Sequence, residues 1–324
     1  MKTTVIGAFP KISDDPGRQE LRRALHRSDR GEIGQAEVDE AFDAVTRSAI
    51  GELEAAGVDV INDGQVRWDD LLAPFARAWR GVSRGPLERF YDNNTYLRQP
   101  VIEGVIVTDG RTLVRDLELA QTVARTELKA AVCGPLTFAT LAAEDRAFRS
   151  LEDRVLAVAE AIALEIRGLG AAGARLVDVE DPAVVARPDL VGLAHRAYER
   201  LAGSGVPIAL QAYFFPADGI LDELARFPVA QVGIDVRSRE TRVLDRLGAL
   251  EGRTVVLGAV DARNTRLETA DEVARLVDVA ARALGPERVW VAPTTGLEYL
   301  PHDVATRKLA VLVEGTRAAA GAPA

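Results

Sequence analysis

The sequence predicts a (β/α)8 barrel, on the evidence of short apolar runs, the polar clusters that follow them and the helical patterns between them. The chain has 324 residues, of which 48% are hydrophobic, and a barrel of this class needs about 250 residues or more. Eight apolar or β-branched runs are each short enough to be a buried strand. They are residues 4–6, 58–61, 130–133, 176–179, 207–210, 232–234, 254–257 and 289–291.

Each run is followed at once by polar, Gly or Pro residues. These clusters are residues 7–10, 62–65, 134–137, 180–182, 211–213, 235–237, 258–261 and 293–297. In a parallel barrel the carboxyl ends of all the strands open on the same face, and the active site lies there. The clusters are therefore expected to meet and to form the site.

Helical patterns separate the runs. Apolar residues from Val38 to Leu53 recur at helical spacing before Gly57, and a second stripe, residues 155–169, follows a Ser150 cap. Residues 269–272 read as a capping box at the start of a third helix, which Gly285 and Pro286 end. These helices are expected to form the outer ring of the barrel.

The stretch from about residue 67 to residue 126 interrupts this rhythm. It is too long for one connection between a strand and a helix, and residues 105–114 look like a β-hairpin that turns at Asp109-Gly110. We expect this excursion, which follows the second strand, to form a lid or a binding wall at the rim. Residues 1–317 are expected to form one domain and residues 318–324 a frayed tail.

The composition narrows the class of ligand. The formal net charge is −9 and the sequence pI is about 5.1, which argues against nucleic acid or an anionic membrane and favours a small-molecule substrate. A single cysteine, Cys133, excludes an internal disulfide and reads as a core thiol. The absence of a long apolar stretch, with a strand close to Met1, predicts a cytoplasmic protein. A homodimer or a partner chain stays open.

The strand ends supply the candidate catalytic residues. Glu180 and Asp181 follow the fourth strand, where a carboxylate can bind an ammonium group or act as a general base. A salt bridge or a helix cap would explain the same pair. Gln211, Tyr213 and Asp235 lie at the next two strand ends and should face the same space. We therefore expect Glu180, Asp181, Gln211 and Asp235 to be catalytic and Tyr213 to bind substrate.

The long excursion and the first helix supply candidate binding residues. Trp68, Asp69, Asp70, Tyr96 and Arg98 combine aromatic and charged groups that suit a planar, polar ligand, although a solvated loop would look similar.

The arginines near residue 20, Arg18, Arg22 and Arg23, can hold carboxylates or phosphates, or simply form a solvated helix face. The three histidines are dispersed at positions 26, 195 and 302, whereas a zinc site needs three or four clustered ligands. No zinc site is therefore expected from the residues themselves.

Several strand-end motifs, taken together and in order, resemble those of cobalamin-independent methionine synthase over nearly the whole chain. They are Ile-Gly-Ala-Phe-Pro-Lys at 6–11, Gly-Gln-Val-Arg-Trp-Asp-Asp at 64–70, Gly-Pro-Leu-Thr at 134–137, Val-Glu-Asp-Pro-Ala at 179–183, Gln-Ala-Tyr-Phe at 211–214, Gly-Ala-Val-Asp-Ala-Arg-Asn at 258–264 and Trp-Val-Ala-Pro at 290–293. The resemblance implies a barrel enzyme that takes a methyl group from 5-methyltetrahydrofolate.

The resemblance also assigns residues. It implies that Gln65, Asp69, Asp70 and the acidic pair at 180–181 handle amino and polar groups of the substrate. Phe9, Tyr96, Arg98, Tyr213 and Thr295 complete the expected substrate-binding set, and Arg18, Arg22 and Trp68 the expected donor-binding set.

The chain departs from the family at other positions. The family's zinc ligands fall at Gln211, Tyr213, Asp235 and Thr295, so no zinc is expected here. The family's pterin-contacting tryptophan and glutamate fall near Leu141 and Ala186.

These observations lead to one preferred function and two alternatives. We expect a metal-independent methyl or one-carbon transferase, in which an acid such as Asp181 or Asp235 deprotonates a non-thiol acceptor. One alternative is a decarboxylase similar to uroporphyrinogen decarboxylase, with Arg18, Arg98 and Arg237 holding carboxylates. The other is a non-catalytic folate-binding or partner subunit, since the fold alone does not decide function.

Overall fold

A ring of parallel strands lies at the centre of the molecule. The computed structural model describes residues 1–12, 19–91, 95–143, 147–238 and 241–321. Its strands are β1 (Lys2–Thr3), β2 (Val60–Ile61), β3 (Arg80–Arg89), β4 (Tyr96–Val107), β5 (Glu127–Leu128), β6 (Ala130–Cys133), β7 (Val177–Glu180), β8 (Ile208–Ala212), β9 (Gln231–Asp235), β10 (Thr254–Val260) and β11 (Val289–Pro293).

The strand order closes the ring. Seven strands pair in the order β1, β11, β10, β9, β8, β7, β6, and β2 pairs with β5 in parallel. A parallel bridge between Thr4 and Val60 joins the first strand to the second. On the other side, Lys129, which lies between β5 and β6, donates its backbone N–H to the carbonyl of Ile61 at 2.9 Å. The predicted α/β barrel is confirmed, with β5 and β6 together forming its third strand.

Helices surround this ring. They are α1 (Glu20–Asp29), α2 (Gln35–Ala55), α3 (Ala73–Ala78), α4 (Val114–Val123), α5 (Pro135–Leu141), α6 (Leu151–Ala171), α7 (Ala183–Ala186), α8 (Val191–Ala202), α9 (Leu221–Leu224), α10 (Ala270–Leu284) and α11 (His302–Ala319). No helix in the described ranges is long and apolar enough to cross a membrane.

The helix starts and stops follow local side-chain chemistry. The Ser150 hydroxyl accepts from the Asp153 N–H at 3.1 Å and caps α6. Thr269 and Glu272 form a reciprocal capping box at α10, which ends before Gly285 at φ +89°. All three predicted helices are confirmed. The last helix, α11, continues past the predicted domain end at 317, and residues 322–324 lie outside the described residues.

The excursion after β2 contains a hairpin, but at a different place from the predicted one. Strands β3 and β4 pair antiparallel, with Val82 opposite Ile102. The expected hairpin over residues 105–114 is wrong, because β4 ends at Val107 and α4 begins at Val114. Gly110, at φ +73°, turns the chain onto α6 rather than back along β4.

A buried carboxylate explains this turn. Glu165 of α6 is fully buried and accepts hydrogen bonds from Trp79 Nε1 at 2.8 Å, from the Thr108 hydroxyl at 2.5 Å and from the Thr112 N–H at 3.0 Å. These donors lie just before β3 and just after β4. Since a buried carboxylate needs such partners, Glu165 fixes both ends of the hairpin to the barrel wall.

Close backbone contact between Gly110 and α6 gives a test of this packing. A Cβ at Gly168 would lie 1.8 Å from the Gly110 carbonyl oxygen, whereas a Cβ at Gly51, in α2, would meet nothing within 4 Å. Gly168→Ala should lower the free energy of unfolding by about 2 kcal/mol or more, and Gly51→Ala should raise it by about 0.5–1 kcal/mol. Urea denaturation of both variants checks this, and equal effects would contradict it.

Candidate functional site

An open cavity of about 690 Å³ lies at the carboxyl ends of the barrel strands. The loops after β1, β2, β8, β10 and β11 line it, β7 contributes its last residue, Glu180, and the hairpin end contributes Phe90, Thr95, Tyr96 and Leu97. Of the residues expected to form the site, the cavity brings together Gln65, Trp68, Asp69, Asp70, Tyr96, Glu180, Tyr213 and Thr295. Barrel enzymes place their chemistry on this face.

Glu180, the last residue of β7, is the buried acid of this cavity. Gln65 Nε2 donates to one of its carboxylate oxygens, and the Tyr213 hydroxyl donates to the other at 2.9 Å. Burial raises the pKa of Glu180 to about 7, with a further rise from Asp178, while the bonds from Gln65 and Tyr213 oppose the rise. The carboxylate can therefore exchange a proton near neutral pH.

The loop after β2 holds Gln65 in a strained backbone conformation. Asn62 Nδ2 donates to the Gly7 carbonyl at 2.9 Å, and its Oδ1 accepts from the Gly64 N–H at 2.9 Å. Asp63 Oδ1 accepts from the Gln65 N–H at 3.0 Å. These bonds keep Gln65 at φ +47°, a region that non-glycine residues seldom adopt. The strain is maintained where the Gln65 side chain has to meet Glu180.

A second polar layer lies below Glu180 inside the barrel. The Lys129 ammonium contacts Asp178 Oδ2 at 2.6 Å, and both side chains are 1% exposed. Gln211 Nε2 donates to Asp178 Oδ1 at 3.1 Å. Gln211 does not line the cavity, since its amide is turned into this interior layer.

Glu298 is a second acid of the cavity, and the sequence analysis missed it. Its carboxyl group is buried, and burial raises its pKa to about 7, with a further rise from Glu180 and a lowering by Lys11. Its Oε2 atom has no hydrogen-bond partner in the described part of the chain. The signal was available in the sequence, because Glu298 lies one residue beyond the polar cluster that follows the eighth strand.

Two glycines bring the first and last loops of the site together. Gly7 has φ +67°, and a Cβ there would lie 2.7 Å from the Gly296 Cα atom. The Leu297 N–H donates to the Ala8 carbonyl at 2.8 Å across this contact. A Cβ at Gly296 would lie 2.2 Å from Glu298 Oε2. Only residues without a Cβ allow the loops to approach this closely.

Aromatic rings form much of the cavity wall. Phe214, at φ +77°, packs edge to face against Tyr213 with a centroid distance of 4.6 Å and against Phe90 at 5.4 Å. Tyr96 and Tyr299 are 54% and 61% exposed at the mouth. These rings offer flat apolar faces to a ligand that enters the cavity.

Two cations also reach the cavity, and each already has partners. The Lys11 ammonium donates to the Trp68 carbonyl, and burial lowers its pKa. Arg263 lies 3.2 Å from Asp235 Oδ2 and 3.0 Å from Asp261 Oδ1. Asp235 does not line the cavity and instead holds this arginine at its edge.

Asp181 faces away from the cavity. Its Oδ1 accepts from the N–H of Thr137 at 2.7 Å and from the Thr137 hydroxyl at 2.6 Å, and its Oδ2 accepts from the Leu136 N–H at 3.3 Å. Asp181 therefore accepts from free backbone N–H groups at the N-terminus of α5. This is the helix-cap alternative that the sequence analysis named for the acidic pair. Burial raises the pKa of Asp181 to about 6.

The remaining predicted residues are divided between the rim and the core. Asp70 accepts from the Leu72, Ala73 and Arg98 N–H groups, and Asp69 pairs with Arg77. The Arg98 guanidinium donates to the Gly85 carbonyl at 3.3 Å and does not line the cavity. Phe9 is buried and packs edge to face on His302 at 5.6 Å. Arg22 is exposed on α1, and Arg18 lies outside the described residues.

The described residues contain no group of three or more His, Cys, Asp or Glu side chains placed to hold a metal ion. Cys133 is buried in the core, where burial raises its pKa well above the usual value. His302 pairs with Glu52 at 2.8 Å, and His195 lies 3.5 Å from Glu199. Neither histidine lines the cavity.

Comparison with known proteins identifies relatives over the whole chain. The family model described as cobalamin-independent synthase, catalytic domain, matches residues 1–318. A methionine synthase of Sulfurisphaera tokodaii is 29% identical over 320 residues, which are 98% of this chain and 92% of that protein. A methionine synthase of Sulfolobus acidocaldarius is 27% identical over 318 residues, which are 98% of this chain and 91% of that protein.

Solved structures show the same fold. A B12-independent methionine synthase from Shewanella, in complex with selenomethionine, has a TM-score of 0.86 at 18% identity and covers 99% of this chain and 98% of that one. A protein from Listeria monocytogenes described as a B12-independent methionine synthase has a TM-score of 0.77 at 13% identity, with 98% and 97% coverage. At these identities the likeness concerns the fold.

The raised pKa of Glu298 predicts how stability depends on pH. The folded state holds the proton more tightly than the unfolded chain, whose glutamate has a pKa near 4.5, so stability falls as pH rises from about 4.5 to about 7. Glu298→Gln removes this loss. The free energy of unfolding of the variant, minus that of the unsubstituted chain, should be larger at pH 8 than at pH 5 by up to about 3 kcal/mol.

Urea denaturation at the two pH values measures the difference. Glu287→Gln is the matched control, because the Glu287 side chain is 71% exposed, and its effect should agree at both pH values within about 0.5 kcal/mol. If Glu298→Gln changes the free energy of unfolding equally at pH 5 and pH 8, the pKa of Glu298 is not raised in the folded state.

Proposed function

Because the chain belongs to the cobalamin-independent synthase family, whose methionine synthase relatives are methyltransferases, we propose that it transfers a methyl group without zinc. The donor is 5-methyltetrahydrofolate or a related methyl-folate, and the acceptor is a small molecule that reacts through nitrogen, oxygen or carbon rather than a thiol. The observation that carries the proposal is the buried Glu180 carboxylate, held by Gln65 and Tyr213 at the cavity surface.

Glu180 is the general base of the proposed reaction. A base works best when its pKa lies close to the working pH, and that of Glu180 is about 7. Asp181 and Asp235, the bases expected from the sequence, are less suitable, since one caps α5 and the other holds Arg263. Asp181 and Asp235 are therefore proposed to position the site, and Gln211 to support Glu180 from below through Asp178.

The proposed step conserves atoms and charge. Glu180 takes the proton from the acceptor atom, which uses the freed electron pair to bond the methyl carbon. The bond from that carbon to the donor nitrogen breaks, and its electron pair stays on the nitrogen. The proton then passes to this nitrogen, which regenerates the Glu180 carboxylate. Orientation of donor and acceptor in one cavity supplies the rest of the acceleration.

The side chains at the expected zinc positions support a reaction without zinc. Catalytic zinc takes nitrogen, sulfur and carboxylate ligands, whereas these positions hold an amide, two hydroxyl groups and one carboxylate. The amide of Gln211 donates to Asp178, the hydroxyl of Tyr213 donates to Glu180, and Asp235 lies against Arg263. This donor set does not fit zinc, and no step of the proposed reaction passes through a metal.

The aromatic wall is the proposed donor site. Trp68, Tyr96, Phe214 and Tyr299 line the cavity and give a planar folate ring surfaces on which to stack. Arg22 is exposed on α1 and does not line the cavity, so we do not assign it to the donor. Gln65, Asp69, Thr295 and Tyr213, which share the cavity with Glu180, are proposed to bind the acceptor.

The alternatives from the sequence have less support. A decarboxylase would need cations that hold substrate carboxylates, but Arg98 donates to the Gly85 carbonyl and Arg237 lies 3.8 Å from Glu268. Membership in a family of methyltransferases also argues against a non-catalytic subunit. A methyl transferase that binds a small molecule therefore remains the function best supported by the site.

Transfer of a labelled methyl group from 5-methyltetrahydrofolate tests the proposal. Small amines, alcohols and thiols serve as acceptors, with and without a chelator. We expect transfer to a non-thiol acceptor that the chelator leaves unchanged. Glu180→Ala should lower kcat by about 10²–10⁴-fold, the usual contribution of a general base, while Glu287→Ala should leave it unchanged.

Two results would contradict the proposal. Loss of activity on chelation, followed by recovery with zinc, would show that the reaction needs the metal. Transfer to thiols alone would show that the acceptor class is wrong.

A further inference from the structure

The cavity contains an acid that the proposed reaction does not use. Glu298 lines the cavity next to the contact between the loops after β1 and β11, and its Oε2 atom is buried without a hydrogen-bond partner among the described residues. A buried carboxylate oxygen without a partner is costly. Glu180, by contrast, has a donor on each oxygen. The structure thus satisfies both oxygens of Glu180, whereas the Glu298 carboxylate lines the cavity with one oxygen unpaired among the described residues.

The glycines around Glu298 fix the position of its carboxylate. A Cβ at Gly296 would lie 2.2 Å from Glu298 Oε2 and 2.8 Å from the Ala8 backbone nitrogen. A Cβ at Gly7 would lie 3.6 Å from Glu180 Oε2. Both carboxylates therefore lie next to the same contact between Gly7 and Gly296. This arrangement places two acids in one enclosed space.

The cations near the cavity do not satisfy Glu298. Lys11 is close enough to lower the pKa of Glu298, but its ammonium group donates to the Trp68 carbonyl. Arg263 is held by Asp235 and Asp261. A ligand that brings a positive charge and an N–H donor to the Glu298 carboxylate would stabilise its charge and relieve the repulsion between the two acids.

We propose that Glu298 is a specificity-determining residue that binds a protonated amine of the acceptor. The identity of the ligand as the methyl acceptor rests on the proposed function. The binding of an amine by Glu298 is argued from the geometry alone. The ammonium group donates to the Glu298 carboxylate, and the rest of the acceptor lies beside Gln65 and Thr295, which leaves the aromatic wall to the donor. An anionic group is disfavoured at this position, because the Glu180 and Glu298 carboxylates lie next to it.

A pair of probes separates charge from shape. Benzylammonium and benzyl alcohol have nearly the same size, and both present one aromatic ring to the cavity wall. Their dissociation constants are measured at pH 8 by saturation-transfer NMR, with the full chain and with the variants Glu298→Gln, Glu298→Asp and Glu287→Gln. The far-ultraviolet spectrum and the Tm of each variant establish that it is folded.

We expect the unsubstituted chain to bind benzylammonium at least about tenfold more tightly than benzyl alcohol, as a charge-assisted hydrogen bond allows. In Glu298→Gln the dissociation constants of the two probes should agree within about twofold, mainly because the amine binds more weakly. Glu298→Asp keeps the charge and should retain part of the preference, and Glu287→Gln should retain all of it.

Three results would overturn the inference. The first is that folded Glu298→Gln keeps the same preference for benzylammonium. The second is that the unsubstituted chain prefers benzyl alcohol. The third is that neither probe binds when it is present at millimolar concentration and in 50-fold excess over the protein. An amine preference that depends on Glu298 without methyl transfer would refute the proposed reaction alone. Methyl transfer without that preference would refute the role of Glu298 alone.

Discussion

The site depends on the need to pair polar groups that the closed barrel removes from water. Lys129 and Asp178 are buried together, and Gln211 completes their layer. Replacement of one member of such a pair leaves an uncompensated charge and costs about 3–5 kcal/mol. Parallel pairing places Glu180 beside Gln211, so this layer forms the floor beneath the proposed general base. The polar layer of the barrel core therefore lies directly below the proposed site and affects the pKa of Glu180.

Backbone strain in the described ranges is concentrated around the same cavity. The non-glycine residues with positive φ are Gln65, Tyr91 and Phe214. Gln65 donates to Glu180, Phe214 lines the wall, and Tyr91 packs on Phe214 at a centroid distance of 6.3 Å. Such conformations cost about 1–3 kcal/mol each and persist where surrounding contacts maintain them. Their location supports the assignment of this face as the functional one.

The sequence predicted elements that depend on local patterns and missed features that depend on distant contacts. Short apolar runs were sufficient to predict the strands of the ring, and caps such as Ser150 were sufficient to predict the helices around it. The hairpin was misplaced because the turn at Gly110 is decided by Glu165, which lies 55 residues later in the chain. The strand ends identified Glu180, but they did not decide that Asp181 turns away from the cavity toward α5 and did not include the second acid at Glu298, because side-chain direction depends on tertiary neighbours.

The proposed methyl transfer requires Glu180 to be a buried carboxylate that exchanges a proton near neutral pH. Carbon-13 NMR titration of glutamate carboxyl groups tests it directly, with the Glu180 signal assigned by its loss in Glu180→Gln. We expect this signal to titrate with a midpoint near pH 7. A midpoint near 4.5, the ordinary value for glutamate, would contradict it and would remove Glu180 as the base of the proposed methyl transfer.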